Sequence, residues 1–123
     1  MRRAKVNKSY LAGLVDGEGY IGFGKCWKYN PRQKKRYLST AIRMEVCNTD
    51  FGLVQDCYDF FKIGTIIDIK PRITAKGTKT KPQKRWNLTH RQAYVVCKEL
   101  LPYLRNKDKL AKAKAIVKHY EAK

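Results

Sequence analysis

Nine residues near the start of this chain, Leu11-Ala12-Gly13-Leu14-Val15-Asp16-Gly17-Glu18-Gly19, constrain its fold more than any other stretch. They read as a short helix from Tyr10 to about Gly17, capped by Ser9 or Asn7. Gly13 and Gly17 stand four residues apart in a helix that is otherwise apolar. Glycine in a helix interior costs up to about 1 kcal/mol relative to alanine, so two of them ask for a structural reason. Small residues at this spacing let two helices approach closely, a rule used here only for its sterics. Asp16 and Glu18 follow at the carboxyl end, where the helix macrodipole disfavours acid. A divalent cation nearby would reverse that balance. Oxygen ligands suit Mg²⁺, which usually takes one or two protein carboxylates plus water and phosphate oxygens. On residue chemistry alone the two acids are level, and either also reads as a solvated or capping group.

The rest of the composition points to a polyanionic partner. Lys and Arg number 28 against 10 Asp and Glu, a net charge of +18 over 123 residues, and such self-repulsion gives an isolated domain no stability. The length fits one domain spanning residues 1–123, and the 43% apolar fraction argues for a folded one. No run approaches the ~18 apolar residues of a membrane span. Met1-Arg2-Arg3-Ala4-Lys5 carries no secretory pattern, so an intracellular location (cytoplasm, nucleoid or organelle matrix) is expected. Cys26, Cys47, Cys57 and Cys97 are far apart, and His90 and His119 show no zinc-ligand spacing to them. Buried free thiols are the reading for all four.

Along the chain, Ile21, Phe23 and Trp27 alternate with Gly22, Gly24, Cys26 and Lys28 as in a strand. Tyr29 to Arg36 reads as a basic turn. Alternation resumes with Leu38, Thr40, Ile42, Met44 and Val46 on one face and Ser39, Ala41, Arg43 and Glu45 on the other, completing a hairpin. Asp50 caps a second helix whose stripe is Phe51, Val54, Cys57, Tyr58 and Phe61, and Gly64 is expected to end it. A third strand, Thr65 to Lys70, has three isoleucines and an ambiguous facing. A basic loop from Pro71 to Lys84 leads to a short fourth strand, Arg85 to Thr89, with Trp86 and Leu88 inward. A third helix starts near His90 and is kinked or ended by Pro102. The last runs from about Asn106 to Tyr120. The fold class is α+β, ordered αββαββαα, with the helices on one face of a four-stranded sheet and the other face free. Such a face, edged by basic loops, is shaped for a nucleic-acid groove.

The segment 11–19 resembles the signature of the LAGLIDADG homing endonucleases. It matches at Leu11, Ala12, Gly13, Leu14, Asp16 and Gly19, with conservative changes at Val15 and Glu18, and with glycine at Gly17 as a common form. The topology resembles the family from about Lys8 to Tyr120. The resemblance implies a four-stranded antiparallel, saddle-shaped sheet and metal-dependent endonuclease activity. It makes Glu18 the metal-binding carboxylate, with the Gly17 carbonyl near the metal (Mg²⁺, or another divalent cation such as Mn²⁺). Asp16 becomes structural, helping to end the helix, while Leu11, Leu14 and Val15 become core. Ala12, Gly13 and Gly17 would line the contact between paired helices. Val46-Cys47-Asn48-Thr49 resembles the stretch that carries a water-holding polar residue, which makes Asn48 catalytic; its plainer reading is a turn residue or helix cap. Pro102-Tyr103-Leu104-Arg105-Asn106-Lys107 resembles the stretch with a basic residue near the scissile phosphate, here Lys107, with Arg105 and Lys109 as rivals.

A single motif in a short chain implies a homodimer and, by symmetry, a pseudo-palindromic site in double-stranded DNA. Base reading is expected from Arg43, Glu45, Arg85 and Asn87. Arg43 suits guanine and Glu45 a cytosine amino group. Lys28, Arg32, Lys34, Lys35 and Arg36 suit phosphates, and Lys70 and Arg72 belong to the same DNA-binding set. Matching Gly64 to the family puts Ile67 and Ile69 on the reading face; a one-residue shift would expose Asp68 and Lys70 instead. The competing function is a binder on the same scaffold, an intron RNA maturase or a transcription regulator. A ribosomal-type RNA-binding domain accounts for the charge but not for residues 11–19.

Overall fold

The structure, a computed structural model, describes residues 6–122. The first five residues, read above for the lack of a secretory signal, and Lys123 lie outside it. Helix α1 runs Lys8–Glu18, and its cap is Asn7, whose side chain accepts from the Tyr10 amide at 2.8 Å. Strand β1 (Gly19–Asn30) starts at once and pairs antiparallel with β2 (Lys35–Asn48) over its whole length. Both strands run further toward the tip than alternation indicated. The turn is only residues 31–34, held by Asn30, whose side-chain oxygen accepts from the Arg32 and Gln33 amides.

Helix α2 (Phe51–Phe61) is capped by Asp50 as expected. Its end differs from expectation. Lys62, not Gly64, takes the left-handed conformation that closes it (φ 57°), and the Lys62 amide donates to the Tyr58 carbonyl. Gly64 serves the next turn, at φ 96°, where a Cβ would lie 2.5 Å from Leu88 and 2.9 Å from the Asn87 carbonyl. It is glycine for close approach as well as for backbone freedom.

Strand β3 (Thr65–Ile69) and β4 (Gln83–Thr89) complete an antiparallel sheet of order β1-β2-β4-β3. The intervening loop is a small folded hairpin, with an Ile73–Lys79 bridge and the Thr80 amide donating to the Arg72 carbonyl. Helix α3 (Arg91–Leu100) passes into a 3₁₀ turn, Leu101–Tyr103, at the predicted proline, and α4 covers Lys107–Glu121.

The helices lie on one side of the sheet because one face of β2 and β4 is apolar. Ile42, Met44, Val46, Trp86 and Leu88 are buried there against Leu11, Val15, Val54, Val96, Leu100 and Ile116. Burying each such side chain stabilises the fold by roughly 1.5–3 kcal/mol. Trp86 stacks on Phe61 and donates its indole N–H to the Ile63 carbonyl at 2.8 Å, so no polar group is stranded by its burial.

Two thiols are buried, not four: Cys26 is exposed and Cys47 is partly exposed, donating to the Gln83 side chain. Burial pushes Cys57 and Cys97 up to about 12. A thiol raised in the folded state resists ionisation there, so it contributes stability that is lost as pH climbs from about 9 toward 12. At pH 8 an aromatic disulfide reagent should label Cys26 rapidly, and Cys57 and Cys97 only after denaturation. Rapid labelling of all four thiols in the native protein would contradict this burial.

Candidate nucleic-acid interface and active site

The carboxyl end of α1 is bonded to the start of α4 in both directions. The Asp16 carboxylate accepts from the Arg105 and Asn106 amides at 2.9 and 3.0 Å. In return, Lys109 reaches back from the first turn of α4 and donates to the Val15 and Asp16 carbonyls at 2.9 and 2.6 Å. An acid thus meets the positive pole of α4 and an ammonium meets the negative pole of α1. This separates the two acids that residue chemistry left level. Asp16 is committed to structure. Glu18 is exposed and, among the described residues, has no hydrogen-bond or ion-pair partner.

The same geometry sorts the three basic candidates. Lys109 is spent on α1 carbonyls, whereas Arg105 and Lys107 are exposed and unpaired among the described residues. Lys107 opens α4, right after its cap Asn106. Replacing Lys109 by Met removes two charge-assisted bonds at a partly exposed site and should lower stability by about 1–2 kcal/mol. Urea unfolding would measure the loss, and an unchanged midpoint would mean that the joint holds without the ammonium.

Ala12 departs from its expected place at a helix–helix contact. It is 0% exposed, packed inside its own protomer beside Leu11 and Val15. In a helix, residues 11, 12 and 15 share one face, and that face meets the sheet and α3. Gly13 and Gly17 lie on the other side and are exposed, with none of the described residues within 4 Å of a Cβ built on either. Leu14 is only partly buried at the edge of the core. Asn48 ends β2 half-buried, and its side-chain oxygen accepts from the Asp50 amide at 2.8 Å, the turn role.

The open face of the sheet is set by register. Gly22, Arg43 and Thr89 form one row across it; Tyr20, Glu45, Asn87 and Thr65 form the next; Cys47, Arg85 and Ile67 form a third. Arg43, Glu45, Arg85 and Asn87 therefore share one face, as expected. Ile67, 40% exposed, stands on it, and Asp68 turns to the other side, within 3.7 Å of Lys84. Lys70 lies just past the end of β3, exposed and outside the paired register. Lys28 has the open-face parity and is exposed. Arg32 and Lys34 occupy the exposed β1–β2 turn, and Arg72 the exposed β3–β4 hairpin.

Arg36 also departs from expectation. Its guanidinium lies 5.7 Å from the centre of the Trp27 ring, on the helix-side parity of the hairpin. Trp27 is 61% exposed there, with Tyr29 and Leu38 exposed beside it, because the helices do not extend to the tip.

Sequence reasoning missed one member of the open face, Tyr20, and the α4 lysine that approaches it. Tyr20 lies over Gly22, whose added Cβ would meet the tyrosine hydroxyl at 2.7 Å. Arg43 from β2 and Lys112 from α4 both approach its ring, at 5.2 and 5.8 Å. The available signal was a tyrosine two residues before a glycine in a strand.

Solved structures share this architecture. A homing endonuclease, I-TnaI, superposes over 97% of this chain and 77% of its own, with a TM-score of 0.59 at 15% identity. The LAGLIDADG homing endonuclease I-LtrWI, solved bound to target DNA, matches 98% of this chain with a TM-score of 0.61 at 12% identity, but this chain spans only 38% of it. The archaeal intron-encoded homing endonuclease I-Vdi141I, complexed with DNA, gives a TM-score of 0.57 at 8% identity over 93% of this chain and 69% of its own. The chain has the LAGLIDADG homing-endonuclease fold. No protein-family model and no curated protein matches its sequence. Among the described residues, no helix is long and apolar enough to cross a membrane.

Proposed function

We infer that this chain is one subunit of a homodimeric, divalent-metal-dependent DNA endonuclease that makes a double-strand break in a long pseudo-palindromic site. The observation that carries this reading is the division of labour at the end of α1: Asp16 is bonded to α4, while Glu18 is exposed and unpaired among the described residues. A divalent cation fits this donor set only in part from one protomer. The described residues contain no cluster of three or more His, Cys, Asp or Glu, but Mg²⁺ needs only one or two carboxylates when water and phosphate complete its shell. Pairing α1 with its copy through Gly13 and Gly17 would bring two Glu18 carboxylates to the twofold axis.

In this mechanism Glu18, with the Gly17 carbonyl, would hold a divalent cation at the site of cleavage. When bound, a divalent cation supplies an attacking water of lowered pKa and stabilises charge on the leaving oxygen. Lys107 neutralises charge that develops on the phosphate. Asn48, whose side-chain oxygen accepts from the Asp50 amide, would hold a water through its amide nitrogen. Asp16 and Lys109 keep Glu18 in register with α4. The open face lies in the DNA groove, and Arg32 and Lys34 meet phosphates.

The test is cleavage selection from a randomised duplex library with Mg²⁺ or Mn²⁺. The expected product is a double-strand break at a two-fold-related site. No cutting with either ion would refute the nuclease assignment. One observation favours a second reading, binding of intron RNA. From Gly19 to Met44 the chain has no acid, and Trp27 and Tyr29 stand exposed on the side of the hairpin away from the open face. Aromatic rings among cations suit unpaired bases. RNA binding abolished by Trp27→Ala, in a protein that cuts no DNA, would establish that function instead.

A further inference from the structure

Glu45 was expected to read cytosine, but its surroundings assign it other work. It is flanked by Arg43 on its own strand and by Arg85 diagonally on β4, and its side chain is only 17% exposed. One carboxylate oxygen, Oε2, faces both arginines through their Nε atoms, at 3.8 Å from Arg43 and 3.5 Å from Arg85. To accept from a cytosine amino group, this oxygen would have to turn from both cations.

We propose that Glu45 is a positioning residue that holds Arg43 and Arg85 as a pair of guanine readers on the open face. The chemistry follows from the guanidinium fork. A group faced through Nε keeps its two terminal nitrogens available, and those nitrogens match the O6 and N7 acceptors of guanine in the major groove. Two arginines this close would otherwise repel, and a shared carboxylate between them offsets that. Arg43 has a second support, the Tyr20 ring 5.2 Å away, which can lie across the strand because residue 22 is glycine. A cation–π approach to Tyr20 together with one carboxylate contact restricts a side chain that would otherwise lose much freedom on binding.

A further observation separates this cluster from an ordinary structural ion pair. Glu45 Oε2 and Arg85 Nε are both sealed from solvent, yet neither makes a hydrogen bond among the described residues. Polar atoms buried short of bonding distance are a cost that a finished structural pair would not carry. The arrangement fits a site completed when a base draws the arginines into place.

The proposal rests on the open face being a DNA-reading surface, so its test measures binding and not cleavage. Randomised duplexes are selected for binding without a catalytic metal, using wild type, Arg43→Ala, Arg85→Ala and the near-isosteric Glu45→Gln. Wild type should select two guanines per half-site. Each arginine variant should relax one of them by about 10- to 100-fold, and Glu45→Gln should relax both together while binding to unselected duplex is held or strengthened. Adding Glu45→Gln to Arg43→Ala should relax only the remaining guanine, an effect that a general loss of folding would not produce. Thermal melting of each variant checks the fold. If Glu45→Gln leaves both guanines selected and alters a third position, Glu45 is a base reader and the positioning role fails alone. If wild type selects no duplex, the positioning role falls together with the DNA-reading function.

Discussion

Glu18→Gln is expected to abolish DNA cleavage while leaving folding and duplex binding intact. The residue is exposed at the end of α1 and, among the described residues, holds no partner, so the amide removes no bond on which the fold depends. It does remove the one charged oxygen donor that each protomer would offer a cation. The expected loss in rate is on the order of 10²–10³-fold or more, the scale seen when one charge-stabilising group of an active site is removed. Asp16→Ala is the natural contrast. Its carboxylate accepts two backbone amides that would lose their partner, so stability should fall by about 1–3 kcal/mol. Single-turnover cleavage and thermal melting of the two variants read both effects. Glu18→Gln should lower the rate without moving the melt, and Asp16→Ala should move the melt. A Glu18→Gln protein that cuts at the wild-type rate would remove Glu18 from the reaction.

The contrast between these acids also shows what the sequence could and could not reveal. Local features were legible because local physics makes them. Asp50 caps α2, β2 alternates along its buried face, and proline turns the end of α3. The commitment of Asp16 was not legible from chemistry, since its partners are 89 and 90 residues away, and only the family resemblance separated it from Glu18. The end of α2 was misplaced because lysine takes a left-handed conformation at Lys62, a position where glycine is the usual sign. The hairpin ran longer than its pattern because strands beyond the helices have no buried face to impose alternation. Ala12 was misplaced by judging size before phase. Its position three residues before Val15 already puts it on the buried side. The facing of Ile67 had been left open, and its pairing with Arg85 places it on the open face of the sheet.

The largest structural effect should come from Gly13, because the protomer and the proposed dimer would make opposite demands on it. Among the described residues of the protomer nothing lies within 4 Å of a Cβ built at Gly13 or Gly17, and both are exposed. Taken alone, the helix would gain from replacing either one, by up to about 1 kcal/mol. A face that loses stability by keeping glycine is explained if a second backbone must come close to it. Gly13→Leu should therefore leave the protomer folded and at least as stable by urea unfolding. Across a symmetric contact the added side chain would overpack twice, by about 1–3 kcal/mol each time. That raises the dimer dissociation constant by on the order of 100-fold or more, which sedimentation across a concentration series would detect. Cleavage should fall with dimerisation, since each protomer supplies a single Glu18. If wild type is monomeric at every concentration, with and without DNA, and Gly13→Leu only stabilises it, α1 does not pair. The two carboxylates would then have no axis on which to meet, and the double-strand break would lose its structural basis.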